Sequence, residues 1–207
     1  MFTGIVQGMA EVVAIEEKQD FRRHVLRLPP SMLGGIELGA SIAHNGCCLT
    51  VTEVQDDRVA FDLMAETLRL TNLGGLQVGD KVNVERAAKF GDEIGGQAMS
   101  GHIICLARVD EVIRTPNNCT VWFTLPAEFG KYLFAKGYIG IDGCSLTIGS
   151  VEGSRFCVHL IPETLERTII QFRQVGDAIN IEVDPQTQAI VDTVERVLAQ
   201  RHGAGLA

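Results

Sequence analysis

The chain has 207 residues, of which 46% are hydrophobic and 21% are charged, which is the composition of an ordinary globular protein. Its 18 basic and 26 acidic residues give a net charge of −8, and no basic cluster offsets this balance, so a nucleic-acid or anionic-membrane surface is not expected. No apolar run approaches the roughly 20 residues that span a bilayer, and the amino terminus lacks a secretory pattern. The six cysteines contain no Cys-x-x-Cys pair, which predicts reduced thiols in a cytoplasm and no metal site.

The sequence contains an internal repeat with a displacement of 97 positions. The block at 45–51, Asn-Gly-Cys-Cys-Leu-Thr-Val, returns at 142–148 as Asp-Gly-Cys-Ser-Leu-Thr-Ile. Three further blocks, at 66–68, 78–80 and 83–85, return in the same register at 163–165, 175–177 and 180–182, and Gly4 falls on Gly101. Four blocks in one register indicate two copies of one module, with a period too long for a solenoid. We expect an N-terminal domain over 1–97, a C-terminal domain over 98–184, and a helix and tail over 185–207.

Taken in order, the first module is predicted to be mostly strand. Short apolar or alternating runs occur at 2–7, 10–15, 24–28, 41–43, 48–54, 59–64 and 81–86. A short helical turn is expected at 66–70, and each Asn-Gly or Asp-Gly is expected to make a tight turn that leads into a strand. So many short strands protect their edges best by closing into a small barrel.

The second module repeats this plan after a polar, glycine-rich linker at 89–97. Its predicted strands lie at 103–113, 120–125, 139–141, 145–151, 156–161 and 178–183. The predicted fold class is therefore all-β, with two similar six-stranded Greek-key barrels in tandem and a C-terminal α-helix.

The pattern becomes helical after Val183. Asp184 can cap the helix and Pro185 suits its first position. An apolar stripe follows at Ile190, Val191, Val194, Val197 and Leu198. This helix has no counterpart in the first half, so it could pack on its own chain or assemble with copies of itself, and the seam-like stripe favours self-assembly.

The two halves differ at positions where a shared folding plan requires no difference. The pairs are Cys48 and Ser145, Ile5 and His102, Asp62 and His159, His44 and Ile141, and Gly39 and Lys136. Two pockets with similar walls but different chemical groups would explain these substitutions. Because alternate residues of a strand share a face, each barrel should carry a polar pair on one wall, Cys48 with Thr50 and Ser145 with Thr147.

His102 is the candidate for acid–base chemistry, since histidine is the residue type suited to proton transfer near neutral pH and this one follows Gly101, where a ligand can approach the backbone. A lone histidine is more often structural than catalytic, and the Glu-Thr pairs at 66–67 and 163–164 can equally be explained as helix starts. Neither a Gly-x-Gly-x-x-Gly phosphate loop nor a Gly-x-Ser-x-Gly elbow is present.

Several ordered motifs resemble the riboflavin synthase family, all-β enzymes with two similar barrels. They are Met-Phe-Thr-Gly-Ile-Val-Gln-Gly at 1–8, Asn-Gly-Cys-Cys-Leu-Thr-Val at 45–51, Glu-Arg-Ala at 85–87, Met-Ser-Gly-His at 99–102, Gly-Ile-Asp-Gly-x-Ser-Leu-Thr at 140–147 and Ile-Pro-Glu-Thr-Leu at 161–165. The resemblance covers essentially the whole chain.

This resemblance implies a dismutation of two 6,7-dimethyl-8-ribityllumazine molecules. One donates a four-carbon unit to the other, giving riboflavin and 5-amino-6-ribitylaminouracil without a metal or organic cofactor. It also implies a homotrimer held by C-terminal helices, with each site formed where the N-barrel of one subunit meets the C-barrel of another. An association with lumazine synthase stays open.

The resemblance also assigns ligand contacts. In the N-barrel they are Gly4, Ile5, Val6, Cys48, Leu49, Thr50, Asp62, Leu63, Met64, Ala65, Glu66 and Thr67. In the C-barrel they are Gly101, His102, Ile103, Lys136, Ser145, Leu146, Thr147, Ile161, Pro162, Glu163, Thr164, Leu165 and Glu166.

We expect the catalytic groups to divide between the barrels. His102, Ser145 and Thr147 are expected to move the proton of the acidic C7-methyl group in the C-barrel site. Cys48 is expected to add to the ring or assist a nucleophile in the N-barrel site.

Three other interpretations compete with this one. A non-catalytic lumazine- or flavin-binding antenna protein would share the double barrel. A flavin-dependent oxidoreductase would need a nicotinamide domain for which 207 residues leave no room. A purely structural double barrel would leave the polar differences between the halves unexplained.

Overall fold

The computed structural model describes residues 1–116 and 118–204, and the side chains of the last helix up to Arg201; positions 205–207 of the expected tail lie outside the described residues. Two closed six-stranded antiparallel barrels are followed by an α-helix, which confirms the predicted fold class. The strands of the first barrel are β1 (Gly8–Lys18), β2 (Phe21–Arg27), β3 (Ser41–His44), β4 (Cys47–Gln55), β5 (Arg58–Met64) and β6 (Lys81–Arg86). Those of the second are β7 (Cys105–Thr115), β8 (Asn118–Thr124), β9 (Tyr138–Ile141), β10 (Cys144–Glu152), β11 (Arg155–Leu160) and β12 (Ala178–Val183).

Both barrels have the same strand order. Around the first barrel it is β1-β2-β5-β4-β3-β6, and the second has the equivalent order β7-β8-β11-β10-β9-β12. A short helix follows the fifth strand of each, α1 (Ala65–Leu70) in the first and α2 (Pro162–Arg167) in the second. Alternate side chains point inward, and each barrel encloses its own apolar core.

The predicted strand at 2–7 is wrong, and the strand predicted to begin at 103 begins at Cys105. Residues 2–6 and 99–103 instead extend toward the opposite barrel. Val6 belongs to the core of the second barrel, whereas Ile103 packs against the core of the first. The apolar alternation at 2–6 therefore reflects burial of Val6 in the second barrel and of Phe2 at the junction, where it packs with Ala43 and Met99, rather than pairing within a sheet.

The two crossing segments meet each other at Phe2 and Met99, which are 97 positions apart. They form an isolated antiparallel bridge with hydrogen bonds of 2.8 and 2.9 Å in the two directions. Gly46 and Gly143 form a second contact between equivalent residues, because a Cβ on either would lie 2.7 Å from the backbone nitrogen of the other. Contacts between equivalent residues indicate that the two barrels are related by a pseudo-twofold axis.

Buried amide side chains hold this junction together. The side-chain amide of Asn83 donates to the Asp142 carbonyl over 2.8 Å, and that of Asn180 donates to the Asn45 carbonyl over 2.9 Å. Asp142 is fully buried and receives Arg173, so the second half of the junction is ionic where the first has Asn45. Burial raises the pKa of Asp142, and the neighbouring Arg173 opposes that shift.

The last helix, α3 (Pro185–Ala204), begins as predicted. The Asp184 carboxylate accepts hydrogen bonds of 2.8 Å from the backbone and hydroxyl of Thr187. The helix docks on its own barrel through Val191 and through Asp192, which accepts from the Tyr132 hydroxyl at 2.5 Å. None of the described helices combines the length and apolarity needed to cross a membrane.

Candidate active site

Each barrel has one wall that its own strands leave incomplete. Strand β5 pairs with β4 only from Val51 onward, and β11 pairs with β10 only from Ile148 onward. The open stretches begin at Cys48 in the first barrel and at Ser145 in the second, the positions singled out by the repeat. A backbone edge without a partner at this point can take an additional strand-like segment.

The crossing segments supply that additional backbone. The Cys48 amide donates to the Gly101 carbonyl over 2.8 Å, and the Ser145 amide donates to the Gly4 carbonyl over 2.8 Å. Both glycines have positive φ, +81° and +73°, and a Cβ on either would lie within 2.6 Å of the Cβ of the residue it faces. Glycine is therefore required at both crossings, by backbone conformation and by close approach.

This exchange corrects the grouping of the predicted site residues. Gly101, His102 and Ile103 complete the first barrel beside Cys48, although sequence order assigned them to the second. Residues 4–6 likewise complete the second barrel beside Ser145. The error has a physical reason: the repeat register shows which residues are equivalent, but it does not show which barrel a segment joins.

The site of the second barrel is an open cavity of about 340 Å³. Its lining combines the crossing segment, the start of β10 and one face of α2: Gly4, Ile5, Val6, Cys144, Ser145, Glu163, Thr164, Arg167 and Thr168. The equivalent positions of the first barrel carry different groups, with His102 in place of Ile5 and Cys48 in place of Ser145. The surface of the first barrel at Cys48 and His102 is therefore the counterpart of the cavity at Ser145 and Ile5, with unlike polar groups, and the two are called the first and second cups below.

The remaining predicted contacts fall into exposed and buried sets. Exposed side chains that can reach a ligand at the rims are Thr50, Met64, Ala65, Glu66, Thr147, Ile161, Pro162, Glu163 and Glu166. Thr67, Leu146, Thr164 and Leu165 are partly buried. Leu49 and Leu63 are core residues of the first barrel, so only their backbone could contact a ligand.

Lys136 is an exposed residue with a left-handed backbone, at φ +69°. Gly39 occupies the equivalent position with φ +84°. A lysine costs free energy in this conformation that a glycine does not. Lys136 and Gly39 therefore differ in both backbone cost and side chain at the same point of the two barrels.

Asp62 and His159 occupy equivalent positions on β5 and β11 with different partners. Asp62 lies 3.9 Å from the Arg23 guanidinium, and His159 pairs with the Thr120 hydroxyl over 3.0 Å. The equivalent positions of the two barrels therefore carry a carboxylate beside a guanidinium and an imidazole beside a hydroxyl.

The thiols beside the two cups differ in accessibility. Cys48 is the partly exposed cysteine, and the other five are buried and unpaired. Burial raises the pKa of Cys47 and of Cys144 to about 12, so both stay protonated and inert at neutral pH. Cys48 is therefore the thiol that can contact a ligand. No cluster of three or more metal-ligating side chains occurs within 1–116 and 118–204.

Two buried carboxylates, missed by the sequence-based site prediction, hold the crossing segments. Glu85 accepts from the Thr3 amide at 2.6 Å, the Thr3 hydroxyl at 2.7 Å and the Gly4 amide at 3.1 Å. Glu182 accepts from Ser100 at 2.6 and 2.8 Å and from Gly101 at 3.0 Å. Burial raises the pKa of both carboxyls, and these hydrogen bonds oppose the shift. The signal in the sequence was the repeated Asn-x-Glu block that ends each module.

Two closed barrels, each completed by a segment from the other half of the chain, define a tandem double-barrel protein. A family model described as lumazine binding domain matches the chain twice, over residues 3–87 and 100–184. The riboflavin synthase of Escherichia coli K12 is 62% identical over 99% of this chain and 96% of its own length. That of Buchnera aphidicola subsp. Schizaphis graminum is 45% identical over 96% of each chain. A crystal structure of LumP complexed with riboflavin superimposes with a TM-score of 0.83 at 30% identity, covering 88% of this chain and 99% of LumP. The chain belongs to the riboflavin synthase family.

Proposed function

We propose that this protein catalyses the dismutation of two 6,7-dimethyl-8-ribityllumazine molecules to riboflavin and 5-amino-6-ribitylaminouracil. A four-carbon unit passes from one lumazine to the other. The observation that carries the proposal is the pair of related but unlike cups, because one compound must be bound twice, as donor and as acceptor. The 62% identity to a riboflavin synthase along nearly the whole chain supports the same reaction.

Most of the rate enhancement should come from holding the two rings face to face. Fixing two reactants in a reactive pose can contribute roughly 7–11 kcal/mol by removing translational and rotational freedom. The C7-methyl group of the lumazine is acidic, since its carbanion delocalises into the ring, so a modest base suffices. No cofactor is needed for either step.

The exchanged segments change the way in which the catalytic residues combine. His102 and Cys48 lie at the first barrel, whereas Ser145 and Thr147 lie at the second. If His102 and Ser145 act in one site, the first barrel of one subunit must face the second barrel of another. His102 then moves the methyl proton, Ser145 and Thr147 bind and orient the ring opposite, and Cys48 assists addition to the ring bound in its own cup. Lys136, Glu66 and Glu163 contact the polar ends of the ligands.

We propose a homotrimer for this reason, and α3 supports it. Ile190, Val194 and Val197 are 65%, 51% and 42% exposed and lie on one stripe of the helix, away from the side that docks on the barrel. Apolar residues at this spacing assemble well with copies of themselves. A cytoplasmic location is proposed from the six unpaired thiols, which favour a reducing compartment.

Incubation of the purified protein with 6,7-dimethyl-8-ribityllumazine tests the reaction. We expect one riboflavin and one 5-amino-6-ribitylaminouracil for every two lumazines consumed, followed by absorbance and chromatography. The competing carrier function is represented by LumP, which has this fold and was crystallised with riboflavin. A carrier would bind the lumazine and return it unchanged, and that result would refute the enzymatic proposal.

A further inference from the structure

The hydrogen bonds that hold the crossing segments run in a crossed pattern. Glu85 lies on β6 of the first barrel, yet it binds Thr3 and Gly4, and the Gly4 carbonyl receives the Ser145 amide of the second barrel. Each carboxylate is thus connected by its hydrogen bonds to the site of the opposite barrel.

The second carboxylate makes the same connection in the reverse direction. Glu182 lies on β12 of the second barrel and binds Ser100 and Gly101, and the Gly101 carbonyl receives the Cys48 amide of the first barrel. Glu85 and Glu182 are 97 positions apart, as are the residues they bind. The pattern is therefore repeated by the pseudo-twofold axis.

Each carboxylate is well suited to fix a backbone position. The two side chains are 3% and 2% exposed, so their hydrogen bonds are shielded from water. Three donors converge on each carboxylate, and two of them are backbone amides of consecutive residues. The next residue in each segment is a cup residue, Ile5 or His102.

We propose that Glu85 and Glu182 are crossed positioning residues: Glu85 sets the site of the second barrel through Gly4, and Glu182 sets the site of the first barrel through Gly101. Their importance for turnover rests on the proposed function, whereas their structural effect does not. Neither carboxylate is proposed to react. Each holds the segment that places His102 or Ile5 beside its cup.

A competing role within the same barrel gives the opposite expectation. Glu85 pairs with Ala43 across β6 and β3, and Ala43 pairs with Cys48 across β3 and β4. If Glu85 only stabilised its own barrel, its loss would disturb these paired strands and would raise the accessibility of Cys48. The two roles can therefore be separated by which cup responds.

Thiol labelling can report on each cup separately. Cys48 is the partly exposed native thiol, so its reaction with a disulfide reagent reports on the first cup. A second reporter is obtained with Ser145→Cys in a Cys48→Ser background, which places the thiol at the equivalent position of the second cup. Glu85→Gln and Glu182→Gln are then introduced into both backgrounds of the full-length protein, with Glu37→Gln as an exposed control.

We expect Glu182→Gln to raise the labelling rate about tenfold at Cys48 and to leave the second reporter unchanged, because a lost charge-assisted hydrogen bond favours local opening of the segment. Glu85→Gln should do the reverse. Effects within the same barrel, equal effects at both reporters or no effect at either would each overturn the proposal.

Milder variants keep the test decisive if the glutamine variants fail to fold. Thr3→Ala and Ser100→Ala remove the hydroxyl that donates to Glu85 and Glu182, respectively, and that also accepts a hydrogen bond from the amide of Ile5 or His102, and they leave both carboxylates in place. These variants should show the same crossed pattern with a smaller change in labelling rate. The outcomes that would overturn the proposal are the same as for the glutamine variants. Because labelling uses no lumazine, crossed labelling in a protein that makes no riboflavin would contradict only the proposed function.

Discussion

Of the four side chains proposed to act on the lumazine rings, His102, Ser145 and Cys48 can be tested singly at the residue scale, and each has a different task. His102→Gln removes the base, and we expect kcat to fall by about 10²–10⁴-fold, as for the loss of a general base. Ser145→Ala should lower kcat less, because it removes an orienting hydroxyl. Cys48→Ser tests addition of the thiol to the ring. Steady-state riboflavin formation measures all three, and unchanged turnover in every variant would exclude side-chain participation.

A second residue-scale feature is the pair of buried imidazoles in the first barrel. His24 and His44 are 0% and 1% exposed, and His44 packs edge-on against Phe61 with ring centroids 4.1 Å apart. The second barrel has Val121 and Ile141 at the equivalent positions. Burial lowers the pKa of His24 to about 4, helped by Arg22, and lowers that of His44 to about 3, helped by His24.

These pKa values predict that the first barrel loses stability in acid. Between pH 6.5 and about 4 the unfolded chain binds protons that the folded barrel excludes, so stability falls as pH falls, by up to about 1.4 kcal/mol per pH unit for each imidazole. His24→Val and His44→Ile should flatten the dependence of unfolding free energy on pH in this window. Denaturant titrations of these variants and of the native protein at several pH values measure it. If the unfolding free energy of the His24 and His44 variants depended on pH as steeply as that of the native protein, the prediction would be contradicted.

At this scale the sequence identified the positions of the candidate site residues, but it did not show which of them lie together in the fold. The repeat register located Cys48, Ser145 and His102 as points of divergence, because a substitution inside a copied block can be read directly from the sequence. It could not show that His102 joins Cys48, since crossing depends on where backbone edges remain open. The buried roles of Glu85 and Glu182 also depend on backbone amides that lie 81 and 82 positions away along the chain.

At the scale of elements, strand identity and order followed from alternation and turns, whereas the ends of the elements did not. Segment 2–6 alternates like a strand because Phe2 and Val6 are buried, but Val6 is buried in the opposite barrel and Phe2 packs with Met99 at the junction. The hydrogen-bond network between the two barrels could likewise not be predicted from the sequence. Asn45 and Asp142 were interpreted as turn residues, and they are also buried members of the junction.

The asymmetric half of that junction gives a prediction at the same scale. Arg173→Leu copies Leu76, its equivalent in the first half, and leaves the Asp142 carboxylate buried without its cation. Losing one partner of a buried ion pair should cost about 3–5 kcal/mol of unfolding free energy. Adding Asp142→Asn copies Asn45 and should recover a large part of the loss, because the remaining side chain is neutral.

Urea denaturation of the two single variants and the double variant provides the double-mutant cycle. Asp80→Asn, at an exposed turn, serves as a control for the loss of one carboxylate. Additive losses in the double variant would contradict the predicted coupling between Asp142 and Arg173.

At the scale of the whole molecule, the proposed site requires more than one chain, and α3 is the element proposed to bring the chains together. Val194→Glu places a charge in the middle of the apolar stripe and should convert the proposed trimer to monomers. Light scattering measures the mass of the particle, and riboflavin formation should fall with it. Thiol labelling of Cys48 checks that the first cup persists. Ala189→Glu adds the same charge away from the stripe and should leave the mass unchanged; a monomeric native protein would remove the site between subunits.

The reciprocal exchange of segments also bears on how the chain arose. A single ancestral barrel of this design would have carried an open wall and a free leading segment, and a second copy would have been the natural source of the missing backbone. Fusion of the two genes would make that partnership permanent. In the fused chain each half binds only the leading segment of the other half, so the two cups could diverge. The first acquired a thiol and an imidazole, and the second acquired hydroxyls.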